Sequence, residues 1–303
     1  MQLVQDLFQI DTKKTTRHLI DFITKKTDEL RRDGCVVALS GGLDSTTVLG
    51  LCVQALGNDK VTALFLPERQ GGRDAKRFAM MASSHFNVTM KTINITRICR
   101  ALGTYDFILA RLPTHEARKN LAKKFMSGAG RHPFVEAAIG KPDHVTGLCN
   151  ASYNSKHRVR CIVAYKYAEE HNLLVAGSAH KSEDLVGLFV KNGVDDNADI
   201  MPFKNFFRSH ILQIAREIGV PDAICNRTPN PETIPGIDDK YQDILGIPGE
   251  KVDIILHQLE NGKKPAEISG MVSLDTSKIE EIRDLVAATA HMRNHSMAPE
   301  LLS

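Results

Sequence analysis

The chain has 303 residues, 42% of them hydrophobic, and a formal net charge of +3. That length allows one large domain or two small ones, and the charge falls short of the basic bias of a dedicated nucleic-acid binder. No run reaches the roughly 18 apolar residues of a membrane-spanning helix, and MQLVQDLFQID lacks a cationic lead into an apolar stretch, so a cytoplasmic protein that engages neither membrane nor nucleic acid is expected.

Residues 14–32 place apolar residues at helical spacing with charges between them. Cys35–Leu39 reads as a short buried strand, and a helix follows from Asp44 to Leu56. Val61–Pro67, Val88–Thr96 and Leu173–Ser178 read as further strands. Helices are predicted over 73–85, 156–171 and 210–221, the last closing at Gly219 with Pro221 just beyond. Two more, near 252–260 and 276–294, would pack on the rest or on a second subunit. Strands alternating with helices predict an α/β fold, a doubly wound parallel sheet covered on both faces. The whole chain, 1–303, is expected to form a single domain with helical additions. Ligands of such sheets lie beyond the carboxyl ends of the strands, which singles out the loops after Leu39, Leu66 and Gly177.

Two stretches break the rhythm. Residues 97–150 show two weak helical patterns and read as a divergent insertion. Residues 226–250 are turn-rich, with Pro229, Pro231, Pro235 and Pro248. Both are expected to be mobile segments over a site. In the first, Arg118, Lys119, Lys123, Lys124, Arg131 and His132 cluster in sequence, which suits a solvated helix face or a grip on a phosphorylated substrate. The six cysteines form no C-x-x-C pair and are expected to be buried reduced thiols.

Ser40-Gly41-Gly42-Leu43-Asp44-Ser45 carries the chemistry. Two glycines between a strand and a helix let backbone N–H groups face an anion, and the helix N-terminus adds a favourable field. Ser40 and Ser45 add hydroxyl donors. The loop is neither G-x-x-x-x-G-K-[ST] nor G-x-G-x-x-G. A carboxylate beside phosphates would repel them unless Mg²⁺ lies between, so Asp44 reads as a metal ligand for a nucleotide pyrophosphate; the plainer reading is a helix cap.

S-G-G-x-D-S after an apolar strand resembles the signature of the ATP pyrophosphatase (PP-loop) superfamily, whose members adenylate a carbonyl oxygen and let a nucleophile displace AMP. Further on, NSKHRVRCIVAYKYAEEHNLLVAGSAHKSEDLVGLFVKNGVDDNADIMPF resembles the ammonia-dependent NAD synthetase family. Asn154, Arg158, Arg160 and Tyr165 fall at its helix positions, and Gly177-Ser178 closes the strand. Glu183 stands at its second metal-binding carboxylate. Lys191 and Gly193 match K-x-G, with Asp195 one residue late, and Asp199 and Pro202 complete the run. The resemblance covers roughly 16–96 and 151–255.

The resemblance implies that Mg·ATP adenylates the carboxylate of deamido-NAD and that ammonia displaces AMP to give NAD. It implies metal binding by Asp44 and Glu183, and catalysis by Asp44, Lys191, Asp195 and Asp199. ATP would be bound by Leu39, Ser40, Gly41, Gly42, Asp44, Ser45, Leu66, Arg158, Ser178, Lys191 and Arg208. The acyl substrate would be bound by Asn154, Arg158, Asp199 and Arg208. A homodimer is implied, with ammonia taken from solution or from a separate partner protein. Asp74 also matches a family position but suits a helix cap better.

The pattern breaks where the acyl substrate is expected. Arg208 replaces a lysine, which keeps the charge but not the compact ammonium. TPNPETIPGIDD replaces P-[ST]-A-x-L, Tyr241-Gln242 replaces D-E, and Gly249 replaces a tyrosine. These departures leave two alternatives open. One is the same adenylation chemistry on another carbonyl substrate with an amine or sulfur nucleophile; the other is a nucleotide-binding sensor without catalysis.

Overall fold

The computed structural model describes residues 7–71, 73–107, 111–112, 114–126, 132–140, 142–230 and 236–294. Four parallel strands, β1 (Gly34–Ala38), β2 (Val61–Phe65), β3 (Thr89–Thr92) and β4 (Leu173–Ala176), lie in the order β3-β2-β1-β4. Cys35 is registered with Val61 on one side and Leu174 on the other. The helices α1 (Thr12–Glu29), α2 (Leu43–Leu56) and α3 (Arg73–His85) alternate with the first three strands. The stretch from residue 96 to 150 holds α4 (Thr96–Ala101), α5 (His115–Met126), α6 (Pro133–Ala138) and the start of α7 (His144–Glu170). After β4 come α8 (Lys181–Val186) and α9 (Arg208–Glu217). The C-terminal part adds α10 (Lys240–Leu245), α11 (Gly249–Glu260), α12 (Pro265–Val272) and α13 (Thr276–Ala288).

Successive strand residues face opposite sides of a sheet. Cys35 and Val37 therefore join Leu19 and Ile23 of α1, Val48 and Leu51 of α2, and Ile211 and Ile214 of α9. Val36 points the other way, to Leu64, Val175 and residues Val159, Val163 and Ala164 of α7. Helices on both faces bury both sides, which is why β1 and β4 read as unbroken apolar runs. The expected α/β, doubly wound architecture is the observed one. β3 is an edge strand, and Thr89, Lys91 and Thr92 are exposed. A further core joins Phe8 and Val186 to Tyr241, Ile255, Ile268 and Ile282 of the C-terminal helices.

Helix α7 begins at His144 rather than near residue 156. Asp143 caps it, accepting from both the N–H and the hydroxyl of Thr146, each at 2.9 Å. Its buried residues include Thr146, Ser152 and Lys156, while Val145, Leu148 and Ile162 are exposed, so no apolar stripe marks its first half. Helix α13 stops at Ala288, short of 294, and a 3-10 turn, Ala290–Arg293, follows. The turn-rich stretch contains α10, capped by Asp239 through the N–H groups of Tyr241 and Gln242. Six residues are too few to print a helical period.

Candidate active site

Strand order reverses at β1: β2 lies on one side and β4 on the other. The loops leaving β1 and β4 therefore diverge and open a crevice at the carboxyl ends. A cleft of about 700 Å³ lies there. Ser40, Gly42, Asp44 and Ser45 line it from the first loop, Ser178 and Glu183 from the second, and Arg208, Arg227 and Lys240 from farther along the chain.

The first loop is held in shape by its own serines. The Ser40 N–H donates to Ser45 Oγ at 3.3 Å, the two hydroxyls lie 3.0 Å apart, and the Gly42 N–H donates to Ser40 Oγ at 3.2 Å. Gly41 itself is outside the cleft lining; its carbonyl accepts from Arg227 Nη1 at 3.2 Å. Gly42 is the N-cap of α2, so Asp44 is not the cap but a first-turn residue. The first-turn N–H groups have no carbonyl partner within the helix and face the cleft end of β1.

Asp44 and Glu183 converge around His180. His180 Nε2 lies 3.3 Å from Glu183 Oε2 and 4.0 Å from Asp44 Oδ2. Burial pushes His180 down to about 3 against the pull of Asp44, so the ring is neutral near pH 7. Burial disfavours the Asp44 carboxylate as well, but His180, Lys240 and Arg208 outweigh it and hold the group below the ordinary carboxylate value. Lys240 is ion-paired with Glu183 Oε1, and burial lowers its ammonium from the usual lysine value. Asp44 Oδ1 is buried without a hydrogen-bond partner. An orphaned carboxylate oxygen beside a second carboxylate fits Mg²⁺. Mg²⁺ takes one or two protein carboxylates and fills its remaining positions from phosphates and water.

Of the other residues singled out in the sequence, Leu39, Leu66, Ser178, Asp195 and Arg208 line the cleft. Asp195 lies 3.0 Å from His157 Nδ1. Burial works against its charge, and His157 and Arg160 more than offset that, lowering its pKa. Arg208 opens α9; its N–H donates to Ser182 Oγ at 3.0 Å and its Nε is buried without a partner.

The structure does not bring Asn154, Arg158, Lys191 and Asp199 into the cleft lining. Arg158 is exposed and donates to the Lys191 carbonyl from Nε and Nη2, while Lys191 Nζ donates to the His291 carbonyl at 3.0 Å. Asp199 accepts from the Val175 N–H at 2.7 Å and from the Tyr165 hydroxyl at 3.3 Å, which fastens its loop to β4. Asp74 is exposed in the first turn of α3 and pairs with Arg77 at 3.3 Å. In the basic cluster, Arg118 is turned inward onto the Leu112 carbonyl, and Lys119 and Lys123 pair with Asp238. Arg131 lies outside the described residues. The six cysteines are free, five of them buried, and none lines the cleft.

The sequence reading missed Glu68, His157, His180, Arg227 and Lys240. Glu68 is fully buried against Lys156 Nζ (3.3 Å), the Tyr105 hydroxyl (2.7 Å) and the Gln70 N–H (3.0 Å), which fixes the loop after β2. Tyr153, His157 and Arg160 recur at helical spacing on the cleft side of α7, the one local signal available.

A family model described as NAD synthase matches residues 15–126 and 134–296. An NH(3)-dependent NAD(+) synthetase of Coprothermobacter proteolyticus is 34% identical over 86% of this chain and 89% of its own length. Its counterpart in Thermotoga maritima is 33% identical over 91% and 95%. In fold, the chain is similar to an NMN synthetase from Francisella tularensis (TM-score 0.70, 21% identity, 97% of this chain and 100% of that one). It is also similar to an NH3-dependent NAD synthetase from Campylobacter jejuni (TM-score 0.66, 23% identity, 97% and 100%). With a family model matched over nearly its whole length and relatives about a third identical over most of both chains, the chain belongs to the NAD synthase family and is an ATP-dependent ligase.

Proposed function

We propose that this chain is an ammonia-dependent NAD synthetase. The convergence of Asp44 and Glu183 beside the first turn of α2 carries the reading. Ser40, Ser45 and the first-turn N–H groups would hold the β- and γ-phosphates. Asp44 and Glu183 would hold Mg²⁺, which when bound neutralises charge on the pyrophosphate. The carboxylate oxygen of deamido-NAD attacks the α-phosphorus, the bond from that phosphorus to the bridging oxygen breaks, and pyrophosphate leaves. Ammonia then attacks the acyl carbon, the acyl–oxygen bond breaks, AMP departs, and the nitrogen loses a proton. Arg208 would offset negative charge on the phosphates. Asp195 suits the orientation of the ammonia better than Asp199, because Asp195 faces the cleft while Asp199 is spent on the β4 backbone.

Ammonia would come from solution or from a separate partner. Among the described residues no helix is long and apolar enough to cross a membrane. Six unpaired cysteines suit a reducing cytoplasmic setting. A homodimer is favoured by the exposed Ile98 of α4, Leu102 at its C-cap, and Val145, Leu148 and Ile162 of α7.

The test is AMP and pyrophosphate release from Mg·ATP with and without deamido-NAD and ammonium. AMP is expected only with deamido-NAD, and Asp44→Asn is expected to slow it at least about 100-fold. AMP with another carboxylate alone would keep the chemistry and overturn the substrate. ATP binding without AMP release would turn the reading toward a sensor.

A further inference from the structure

Arg208 stands where the family pattern has a lysine, and the fold brings a lysine to the same cleft from another element. Lys240 is the first residue of α10. Asp239 caps that helix, and Asp238 is held by Lys119 at 2.9 Å and Lys123 at 3.4 Å from α5. The Lys240 side chain passes 5.4 Å from the centre of the Tyr241 ring and ends on Glu183, with only 14% of its surface exposed. It also lines the cleft.

We propose that Lys240 is a catalytic residue whose ammonium balances Asp44 and Glu183 in the nucleotide-free protein and moves onto the leaving pyrophosphate once Mg·ATP is bound. This rests on the reading above. The Lys240 ammonium is the cation ion-paired with this carboxylate pair, with the Arg208 guanidinium also acting on Asp44. A divalent cation at the same carboxylates balances both and repels the lysine. Its nearest alternative is then the β- and γ-phosphate oxygens, which gain charge as the bond to the α-phosphorus breaks. An ammonium on a flexible four-carbon stem can turn between these partners without leaving the cleft; the planar guanidinium of Arg208 presents its donors in a fixed fork. No proton changes hands in this role: Lys240 donates hydrogen bonds and offsets charge.

The experiment compares wild type, Lys240→Met and Lys240→Arg in the full chain. With Mn²⁺ as the probe and no nucleotide, Lys240→Met is expected to bind the ion at least about fivefold tighter than wild type, because the competing charge is gone. Single-turnover AMP formation by the same variant is expected to fall at least about 100-fold. Lys240→Arg should restore weak Mn²⁺ binding but not the rate. Unchanged Mn²⁺ affinity, or AMP formation within about threefold of wild type, overturns the proposal. Should Lys240→Met not fold, modification of Lys240 in wild type by an amine-reactive reagent, read by peptide mass spectrometry, decides the matter. Labelling is expected to rise with Mn²⁺ alone and fall with Mn·ATP, and constant labelling overturns the proposal. A wild type that makes no AMP from deamido-NAD defeats the substrate reading, while the Mn²⁺ and labelling arms still judge Lys240. AMP lost in Asp44→Asn but kept in Lys240→Met leaves that reading standing and removes Lys240.

Discussion

At Gly41 the backbone stands at φ +77°, and a Cβ there would lie 2.6 Å from the Ala79 amide nitrogen and 2.7 Å from the Phe78 Cβ. The residue must therefore lack a side chain for two reasons, a left-handed turn and the close approach of α3. Gly41→Ala is expected to cost about 1–3 kcal/mol of stability and to weaken ATP binding, since the turn and α3 must both shift. Thermal melts and a nucleotide titration check this; an unchanged melt would mean that α3 gives way freely. Such a glycine is visible in the sequence as half of a Gly-Gly pair. Which of the two takes the positive φ is settled only when α3 packs.

At the scale of elements, the joint between α8, α9 and α11 supports one wall of the cleft. Asp253 of α11 accepts from the Ser182 hydroxyl at 2.5 Å and from the Ser209 N–H (2.9 Å) and hydroxyl (2.6 Å). The Ser182 oxygen in turn accepts the N–H of Arg208, so the C-terminal helices hold the start of α9 in place. His210 completes the cap: its Nδ1 accepts from the Phe207 N–H at 3.2 Å, which requires an unprotonated nitrogen. Burial pushes His210 down to about 4, with His257 and Lys181 adding to the effect. The folded state thus gains this proton later than the unfolded chain, whose histidine titrates near the ordinary 6.5. The stability tied to the neutral ring is full above that value and declines as pH falls from 6.5 toward 4. Melts at pH 7, 6, 5 and 4 are expected to show this loss, with a shallower decline for His210→Gln. Parallel curves would remove His210 from the account. None of this joint is legible locally, because Ser182, Ser209 and Asp253 are ordinary polar residues until three helices meet.

For the whole molecule, α4 with its C-cap Leu102, and α7, expose large apolar side chains. Ile162 is 67% exposed and Leu102 61%. If that surface is the face between two copies, Leu102→Glu with Ile162→Glu is expected to convert a sedimenting dimer to monomer while leaving the melt of the monomer unchanged. A wild type that sediments as a monomer at all concentrations would defeat the dimer.

Glu183 is legible only through the family resemblance, whereas the sequence by itself determined the parallel sheet, its order of strands and helices along the chain, and the Gly-Gly turn that opens α2. These are short-range matters: an apolar run buried on both faces, a Gly-Gly turn and a helix start each declare themselves within a few residues. Only the tertiary structure decided that Asp195 faces the cleft while Asp199 is spent on β4, that Arg158 binds the Lys191 carbonyl and Lys191 the His291 carbonyl instead, and that His180 and Lys240 complete the acidic pair. The direction of a loop side chain is set by what packs against it from far along the chain, and Lys240 reaches Glu183 across more than fifty residues only because α10 docks on the C-terminal core.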